Sequence, residues 1–173
     1  MAITKIQSES LNLADDFAFT GTITGAGGVN TPAFLATMTS NQSIAFSTNV
    51  KMQFSSEVFD TDNCYDNTTN YRFTPNVAGK YYVTVYVYLD GGGQGNLRIL
   101  LPKIFKNGSQ ELISGGDFAT GYQNNATYGV SGIVEMNGTT DYLEGYIYHY
   151  TQDGTGSNAG NSNSKFSAYK LIT

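Results

Sequence analysis

Nine consecutive residues, from Tyr81 to Leu89, alternate without a break between two sets of side chains. One set is Tyr81, Val83, Val85, Val87 and Leu89, and the other is Tyr82, Thr84, Tyr86 and Tyr88. A period of two residues is typical of a β-strand, whose successive side chains point to opposite faces. Both faces of this strand are apolar or aromatic, although the outer face of an antiparallel sheet normally contacts water. We therefore predict a strand that contacts protein on both sides.

The stretch from Tyr142 to Tyr150 repeats this pattern, with Leu143 and Ile147 on one face and tyrosines on the other. Tyrosine combines a large apolar ring with a polar tip and is enriched at protein interfaces. We predict that the two tyrosine stripes form a surface for self-association. The alternative is that the stripes pack under loops of the same chain. The predicted interface residues are Tyr82, Tyr86, Tyr88, Tyr146, Tyr148 and Tyr150.

The rest of the chain after Thr31 also has the pattern of an all-β domain. Short runs rich in Val, Ile, Tyr, Phe and Thr are separated by turns, and Gly, Asn, Ser and Thr supply 70 of the 173 residues. Asn107-Gly108 and Asn137-Gly138 each favour a short hairpin turn, and residues 90–96 and 151–163 are predicted to be long loops. Further strands are predicted at Ala33–Ser40, Lys51–Phe59, Tyr71–Thr74, Leu97–Phe105, Val130–Met136 and Ser164–Ile172.

The first 31 residues differ from this domain. Their apolar side chains follow neither a helical nor a strand period, and they end in a glycine-rich stretch. We predict an extended arm over residues 1–31 that packs on another molecule through Leu11, Leu13, Phe17 and Phe19. The start of the sequence lacks the apolar core of a secretory signal, so we expect the mature protein to begin here.

Charge and residue counts argue against several functions. The chain has 9 Lys and Arg against 14 Asp and Glu, without a basic run, so we expect no nucleic-acid partner. It has no run of about 20 apolar residues, so we expect no membrane insertion. Cys64 and His149 are the only cysteine and histidine, and no catalytic serine motif occurs, so we expect neither an enzyme nor a cofactor. His149 shares its strand phase with Leu143 and Ile147, which predicts a packed core histidine.

One acidic stretch has the spacing of a calcium-binding loop. Asp60, Asp62 and Asp66 match its first positions, since hard cations need several closely placed oxygen ligands. The match then fails, because the position of the final glutamate is occupied by Tyr71. We interpret the stretch as a solvated acidic loop and predict no metal site.

Several blocks of the sequence, in order, resemble the C1q/tumour-necrosis-factor-like jelly roll. The blocks are Pro32–Ala36, Tyr65–Val83, Leu100–Gly108, Ser131–Val134 and Ser164–Ile172. The resemblance implies a two-sheet antiparallel jelly-roll sandwich over residues 32–173 that assembles as a homotrimer. It also implies that both tyrosine stripes lie on the inner sheet near the threefold axis. No Gly-X-Y repeat precedes the domain, so a collagen stalk is not expected.

Residues 3–28 resemble a segment of structural proteins and tail fibres of tailed bacteriophages, especially marine ones. Together the two resemblances imply a virion structural protein, made in the host cytoplasm. We expect a trimeric capsid decoration or cement protein whose arm binds the major capsid protein or other virion proteins. The alternative is a tail-fibre or head-fibre tip that binds host surface receptors or glycans through loops 115–129 and 151–163. An extracellular bacterial adhesion domain fits the missing signal less well.

Overall fold

The computed structural model describes residues 30–92, 96–160 and 163–172. Every regular element in this part of the chain is a β-strand, and it contains no helix that is long and apolar enough to cross a membrane. The strands are β1 (Ala33–Thr37), β2 (Gln42–Ile44), β3 (Val50–Lys51), β4 (Ser56–Asp60), β5 (Tyr65–Asp66), β6 (Arg72–Phe73), β7 (Gly79–Asp90), β8 (Leu97–Lys106), β9 (Ser109–Ile113), β10 (Gly116–Asp117), β11 (Asn125–Met136), β12 (Leu143–Thr151), β13 (Ser157–Ala159) and β14 (Lys165–Lys170).

Two antiparallel sheets of seven strands each form the sandwich. In the first sheet the order is β2-β13-β7-β14-β1-β4, and β11 pairs with the other edge of β7 along its whole length. In the second sheet the order is β10-β8-β12-β6-β5, with β3 paired to β12 and β9 paired to β8. The predicted all-β class and two-sheet antiparallel architecture are therefore confirmed.

The core lies between the sheets and is filled by one set of side chains from each alternating strand. Val83, Val85 and Val87 of β7 are completely buried. Opposite them lie Leu143 and Ile147 of β12, also completely buried. An aromatic cluster closes one end of the core, where the ring of Phe34 lies 4.5 Å from Tyr65, 4.7 Å from Phe73 and 4.9 Å from Phe166.

Two predicted elements differ from the structure. The strand expected over Lys51–Phe59 is divided, because Met52 and Phe54 are both buried where the chain crosses from β3 in one sheet to β4 in the other. Asn137-Gly138 is not a hairpin turn, since it joins β11 and β12, which lie in different sheets. The side chain of Asn137 instead accepts hydrogen bonds from the backbone N–H groups of residues 139, 140 and 141 and closes this crossover.

Two other turn predictions have clearer outcomes. Asn107-Gly108 joins β8 and β9 as predicted, with φ angles of 52° and 79°. Both angles are positive, as a tight two-residue hairpin requires. The stretch 151–163, predicted to be a loop, contains β13, which pairs with β2 and with the end of β7.

Candidate interaction faces on the two sheets

The outward side of the first sheet carries a group of large apolar and aromatic side chains. Because the core-facing residues of β7 are buried, the alternate residues of the strand point away from the sandwich. Strand pairing places Tyr82 in register with Ile133 of β11 and with Tyr169 of β14. The adjacent row places Leu35 of β1 beside Phe59 of β4. We define the first-sheet face by its six large side chains: Leu35, Phe59, Tyr82, Tyr86, Ile133 and Tyr169.

Four members of the first-sheet face are largely exposed. The exposed fractions are 59% for Ile133, 47% for Phe59, 47% for Tyr86 and 41% for Tyr169. The rings of Tyr82 and Tyr169 lie 5.6 Å apart, so the tyrosines contact one another and also solvent. Exposed large apolar side chains grouped on one face make that face a candidate interaction surface.

Tyr86 lies directly over a glycine of the neighbouring strand. Gly129 is its cross-strand partner, and a Cβ atom at Gly129 would overlap the Tyr86 ring. The missing side chain therefore lets the ring lie flat across β11. Tyr88, the third predicted interface residue of β7, is half-buried on the same side, and its backbone N–H donates to the Ser164 hydroxyl at 3.0 Å.

The tyrosines of β12 have a different environment, because their own chain covers them in part. Tyr146 stacks on Phe105 with the ring centroids 4.1 Å apart. The hydroxyl groups of Tyr148 and Ser47 lie 2.9 Å apart, and the Tyr150 ring lies 4.8 Å from Phe46. All three tyrosines are half-buried. We define the second-sheet face as Tyr146, Tyr148, Tyr150, Phe105 and Lys103 on the outward side of this sheet.

The expectation that both stripes lie on one inner sheet is wrong. β7 belongs to the first sheet and β12 to the second, and both tyrosine sets point away from the core. The two stripes therefore lie on opposite outer faces of the sandwich and cannot form one surface within a protomer. Tyr82, Tyr86 and Tyr88 stay together, and Tyr146, Tyr148 and Tyr150 form a separate group that packs against residues of the same chain.

The second-sheet face surrounds buried charges. Glu144 is 4% exposed and accepts hydrogen bonds from Lys51 and Arg72, each at 3.2 Å. The Arg72 guanidinium also lies 4.1 Å from the centre of the Tyr142 ring, a cation–π contact. Burial raises the pKa of Tyr146, and the charge of Glu144 adds to that effect. Lys103 is 8% exposed, and burial lowers the pKa of its ammonium group.

On the opposite side of β12, His149 is completely buried, as its strand phase predicts. Neither ring nitrogen has a hydrogen-bond partner among the described residues. Burial lowers the pKa of His149, and the nearby Thr155 backbone carbonyl opposes that shift only in part, without forming a well-aligned hydrogen bond. The imidazole therefore packs as a neutral core group.

Two aspartates of the acidic stretch at residues 60–66 accept hydrogen bonds from the backbone of their own turns. Asp66 accepts hydrogen bonds from the backbone N–H groups of Thr68, Thr69 and Asn70, and these hold the pKa of its carboxyl well below the usual range. Asp60 accepts from the backbone N–H groups of residues 62 and 65. Within the described residues, no group of three or more His, Cys, Asp or Glu side chains is arranged to hold a metal ion.

Several predicted residues lie outside the described part of the chain, including the proposed anchor residues Leu11, Leu13, Phe17 and Phe19. Conversely, sequence reasoning missed Leu35, Phe59, Ile133 and Tyr169 as members of the first-sheet face. A signal for Leu35 was present, because Ala33, Phe34 and Leu35 are consecutive apolar residues and occupy both faces of β1. The other three become recognisable only when the strand register is known.

No protein-family model matches the sequence, and no curated protein matches it significantly. Among solved structures, murine APRIL is similar over 80% of this chain and 98% of its own, with 9% sequence identity and a TM-score of 0.55. The globular domain of zebrafish complement 1qA protein covers 82% of this chain and 98% of its own, with 14% identity and a TM-score of 0.49. The likeness to murine APRIL shows the fold, a two-sheet antiparallel jelly-roll sandwich.

Proposed function

We propose that the protein is a non-enzymatic structural protein that self-associates as a homotrimer through the first-sheet face. The observation that carries the proposal is the exposed group on that face, where Tyr86, Ile133 and Tyr169 have little cover from their own chain. Burying such side chains against further copies stabilises an assembly by about 25 cal/mol per Å² of apolar surface. The resemblance to C1q/TNF-like domains supports three copies rather than two.

The assembly test uses the full-length chain. Sedimentation equilibrium measures the mass of the particle, and three times the 18.7 kDa chain mass is expected. A concentration-independent monomer would contradict the proposal.

Within this proposal, the trimer decorates or cements the capsid of a tailed bacteriophage after synthesis in the host cytoplasm. Support comes from the resemblance of residues 3–28 to phage structural proteins. Three arms that leave one compact trimer suit a site where neighbouring capsomers meet. There Leu11, Leu13, Phe17 and Phe19 of each arm bury apolar side chains against the major capsid protein or other virion proteins.

The position on the particle is tested with capsids that lack tails. Mass spectrometry and imaging of these capsids should detect the protein on the capsid surface. Its absence from tailless capsids, together with its presence on complete particles, would favour the alternative of a fibre tip that binds host receptors or glycans. That alternative uses loops 115–129 and 151–163, and shortening these loops should then abolish binding of the trimer to host cells.

A further inference from the structure

The second-sheet face gathers cations in a chain whose formal net charge is −5. Four of the nine Lys and Arg residues belong to this face or contact it or the neighbouring residues Tyr142 and Glu144 of β12. Lys51 and Lys103 flank Tyr146 in register from the two neighbouring strands. Arg72 pairs with β12 one row away, and the Arg98 guanidinium lies 5.9 Å from the centre of the Tyr150 ring.

The carboxylates of the chain do not neutralise these four cations. Lys51 and Arg72 share a single carboxylate oxygen of Glu144, each at 3.2 Å. Arg98 pairs with Asp117 at 3.4 Å. Within the described residues, no carboxylate lies within 4 Å of the Lys103 ammonium. Four cations and two carboxylates leave this face with a local charge of +2.

Lys103 is the least compensated of these cations. Its ammonium donates to the Asn49 side-chain oxygen at 2.8 Å and lies 5.3 Å from the centre of the Tyr148 ring. An ammonium group has three protons to donate, and no other hydrogen bond of this group occurs in the described part of the chain. A mostly buried charge without an opposite charge is costly. Asn49, which accepts this hydrogen bond, is itself exposed, so we expect an external anion to approach the ammonium from the side of Asn49.

The surroundings of Lys103 indicate what kind of anion fits. The half-buried Tyr148 ring lies 5.3 Å from the ammonium, half-buried Tyr146 is the cross-strand partner of Lys103, and the side-chain oxygen of exposed Asn49 accepts a hydrogen bond from the ammonium. Aromatic rings offer a flat apolar platform, and amide and hydroxyl groups offer hydrogen bonds. A sugar ring that carries an acidic group matches all three features, because its C–H face, its hydroxyl groups and its oxyanion each find a partner.

We propose that the second-sheet face binds an acidic saccharide, whose carboxylate or sulfate group pairs with the Lys103 ammonium and whose ring packs on Tyr146 and Tyr148. This function goes beyond self-association, because it uses the face opposite to the proposed trimer interface. Both sources of the oxyanion, a uronate and a sulfated sugar, present the same chemistry to Lys103.

Isothermal titration calorimetry on the full chain compares four probes: an oligogalacturonate, a sulfated dextran oligosaccharide, a neutral dextran of the same length and inorganic sulfate. We expect at least one acidic oligosaccharide to bind at least about tenfold more tightly than neutral dextran and than sulfate alone. The difference should shrink as salt is added, because salt screens partly exposed charges. Equal binding of neutral dextran, or equal binding of inorganic sulfate, would overturn the proposal.

Two variants test the role of Lys103. Lys103→Met removes the charge and keeps the length of the side chain, and it should weaken acidic-saccharide binding by at least about tenfold. Asn49→Asp places a carboxylate beside the ammonium and should have the same effect. Because Asn49 is exposed, this second variant does not depend on a core substitution that folds poorly.

The matched control is Lys80→Met, which removes the same charge from an exposed site on the other sheet. It should bind within about twofold of the unmodified protein. Unchanged binding in both Lys103→Met and Asn49→Asp, or an equal loss in Lys80→Met, would overturn the proposal. Sedimentation of the same samples reports assembly separately, so a failure here is distinguishable from a failure of the trimer proposal.

Discussion

The outer faces of the two sheets carry similar tyrosine stripes, but the two stripes differ in how far their own chain covers the rings. On the first sheet, Tyr86 is 47% exposed and lies over a glycine. On the second sheet, Tyr146 stacks on Phe105, and Tyr150 packs against Phe46. A stripe of tyrosines is therefore available to another copy of the chain only where the chain itself leaves the rings uncovered.

The neighbours of each stripe explain this difference. In the first stripe, Tyr86 is in register with Gly129, and the neighbouring Thr84 is in register with Ser131 and Ser167. Only Tyr82 is flanked by large side chains on both sides, Ile133 and Tyr169. In register with the second stripe lie the longer side chains Leu101 and Lys103. Long neighbours partly cover the rings of the second stripe, whereas the small Gly129 leaves the Tyr86 ring exposed.

The largest expected effect comes from substituting one tyrosine on each sheet, Tyr86 or Tyr148, by lysine. Tyr86→Lys should convert the assembly to monomers, because three ammonium groups around one axis would be buried without partners. Tyr148→Lys makes the same chemical change on the other sheet and should leave the assembly intact, although it lowers the melting temperature. Sedimentation equilibrium and thermal unfolding of both variants provide the measurements.

Two results would contradict this assignment of the faces. A well-folded Tyr86→Lys trimer would remove the first-sheet face from the interface. A monomeric but folded Tyr148→Lys chain would place the interface on the second sheet instead.

The next largest effect concerns the buried carboxylate beside the second-sheet face, which has no counterpart on the first-sheet face. Glu144→Gln leaves Lys51 and Arg72 without the carboxylate that they share. We expect the free energy of unfolding to fall by about 2 kcal/mol, a modest loss for a buried charged group, because both cations are about one-third exposed. Urea unfolding measures this loss, and Glu135→Gln on the exposed side of β11 serves as the control. Equal stability of the two variants would show that the buried carboxylate adds nothing.

Much of the fold follows from local patterns. The alternation of Tyr81–Leu89 fixes which side chains of β7 face the core, and the phase of His149 places it in the interior. Such inferences succeed because the side-chain period of a strand is a property of a few consecutive residues.

The location of the second tyrosine stripe could not be predicted in the same way. The period of two shows that Tyr146 and Ile147 point to opposite faces, but it does not show which sheet the strand joins. That choice depends on pairing of β12 with β8, about 40 residues earlier in the chain. The division of Lys51–Phe59 has a similar cause, because β3 pairs with β12 and β4 pairs with β1.

Acidification should lower the stability of the fold through His149 of the second sheet and leave self-association through the first sheet unchanged. Burial lowers the pKa of His149 in the folded state, whereas an unfolded histidine titrates near a pH of about 6.5. Below that pH the unfolded chain binds the proton more readily, so stability should fall by up to about 1.4 kcal/mol per pH unit until the folded pKa is reached. The carboxyls with lowered pKa values, such as Asp66, stabilise the fold above their unfolded pKa, and that contribution is lost only as the pH falls below about 4.

The measurement for His149 is urea unfolding between pH 7 and pH 5. His149→Leu should lose much less stability over this interval, because the buried group no longer titrates. Self-association measured by sedimentation should stay constant at every pH at which the chain remains folded. The six residues of the first-sheet face include no carboxylate or imidazole. An identical pH dependence in the variant would show that another group causes the loss.

The smallest effect tests whether the glycine beneath Tyr86 shapes the interface. The backbone at Gly129 is extended and suits any residue, so Gly129→Ala introduces no backbone strain. Its new methyl group would overlap the Tyr86 ring, and the exposed ring should rotate away from β11. We expect trimer affinity to fall by only a few-fold, because the ring stays on the same face. Gly132→Ala is the matched control on the core side of the same strand, where the methyl group meets Leu112, and it should alter stability rather than affinity. A larger loss of affinity for Gly132→Ala than for Gly129→Ala would show that core packing, and not the position of the Tyr86 ring, limits assembly.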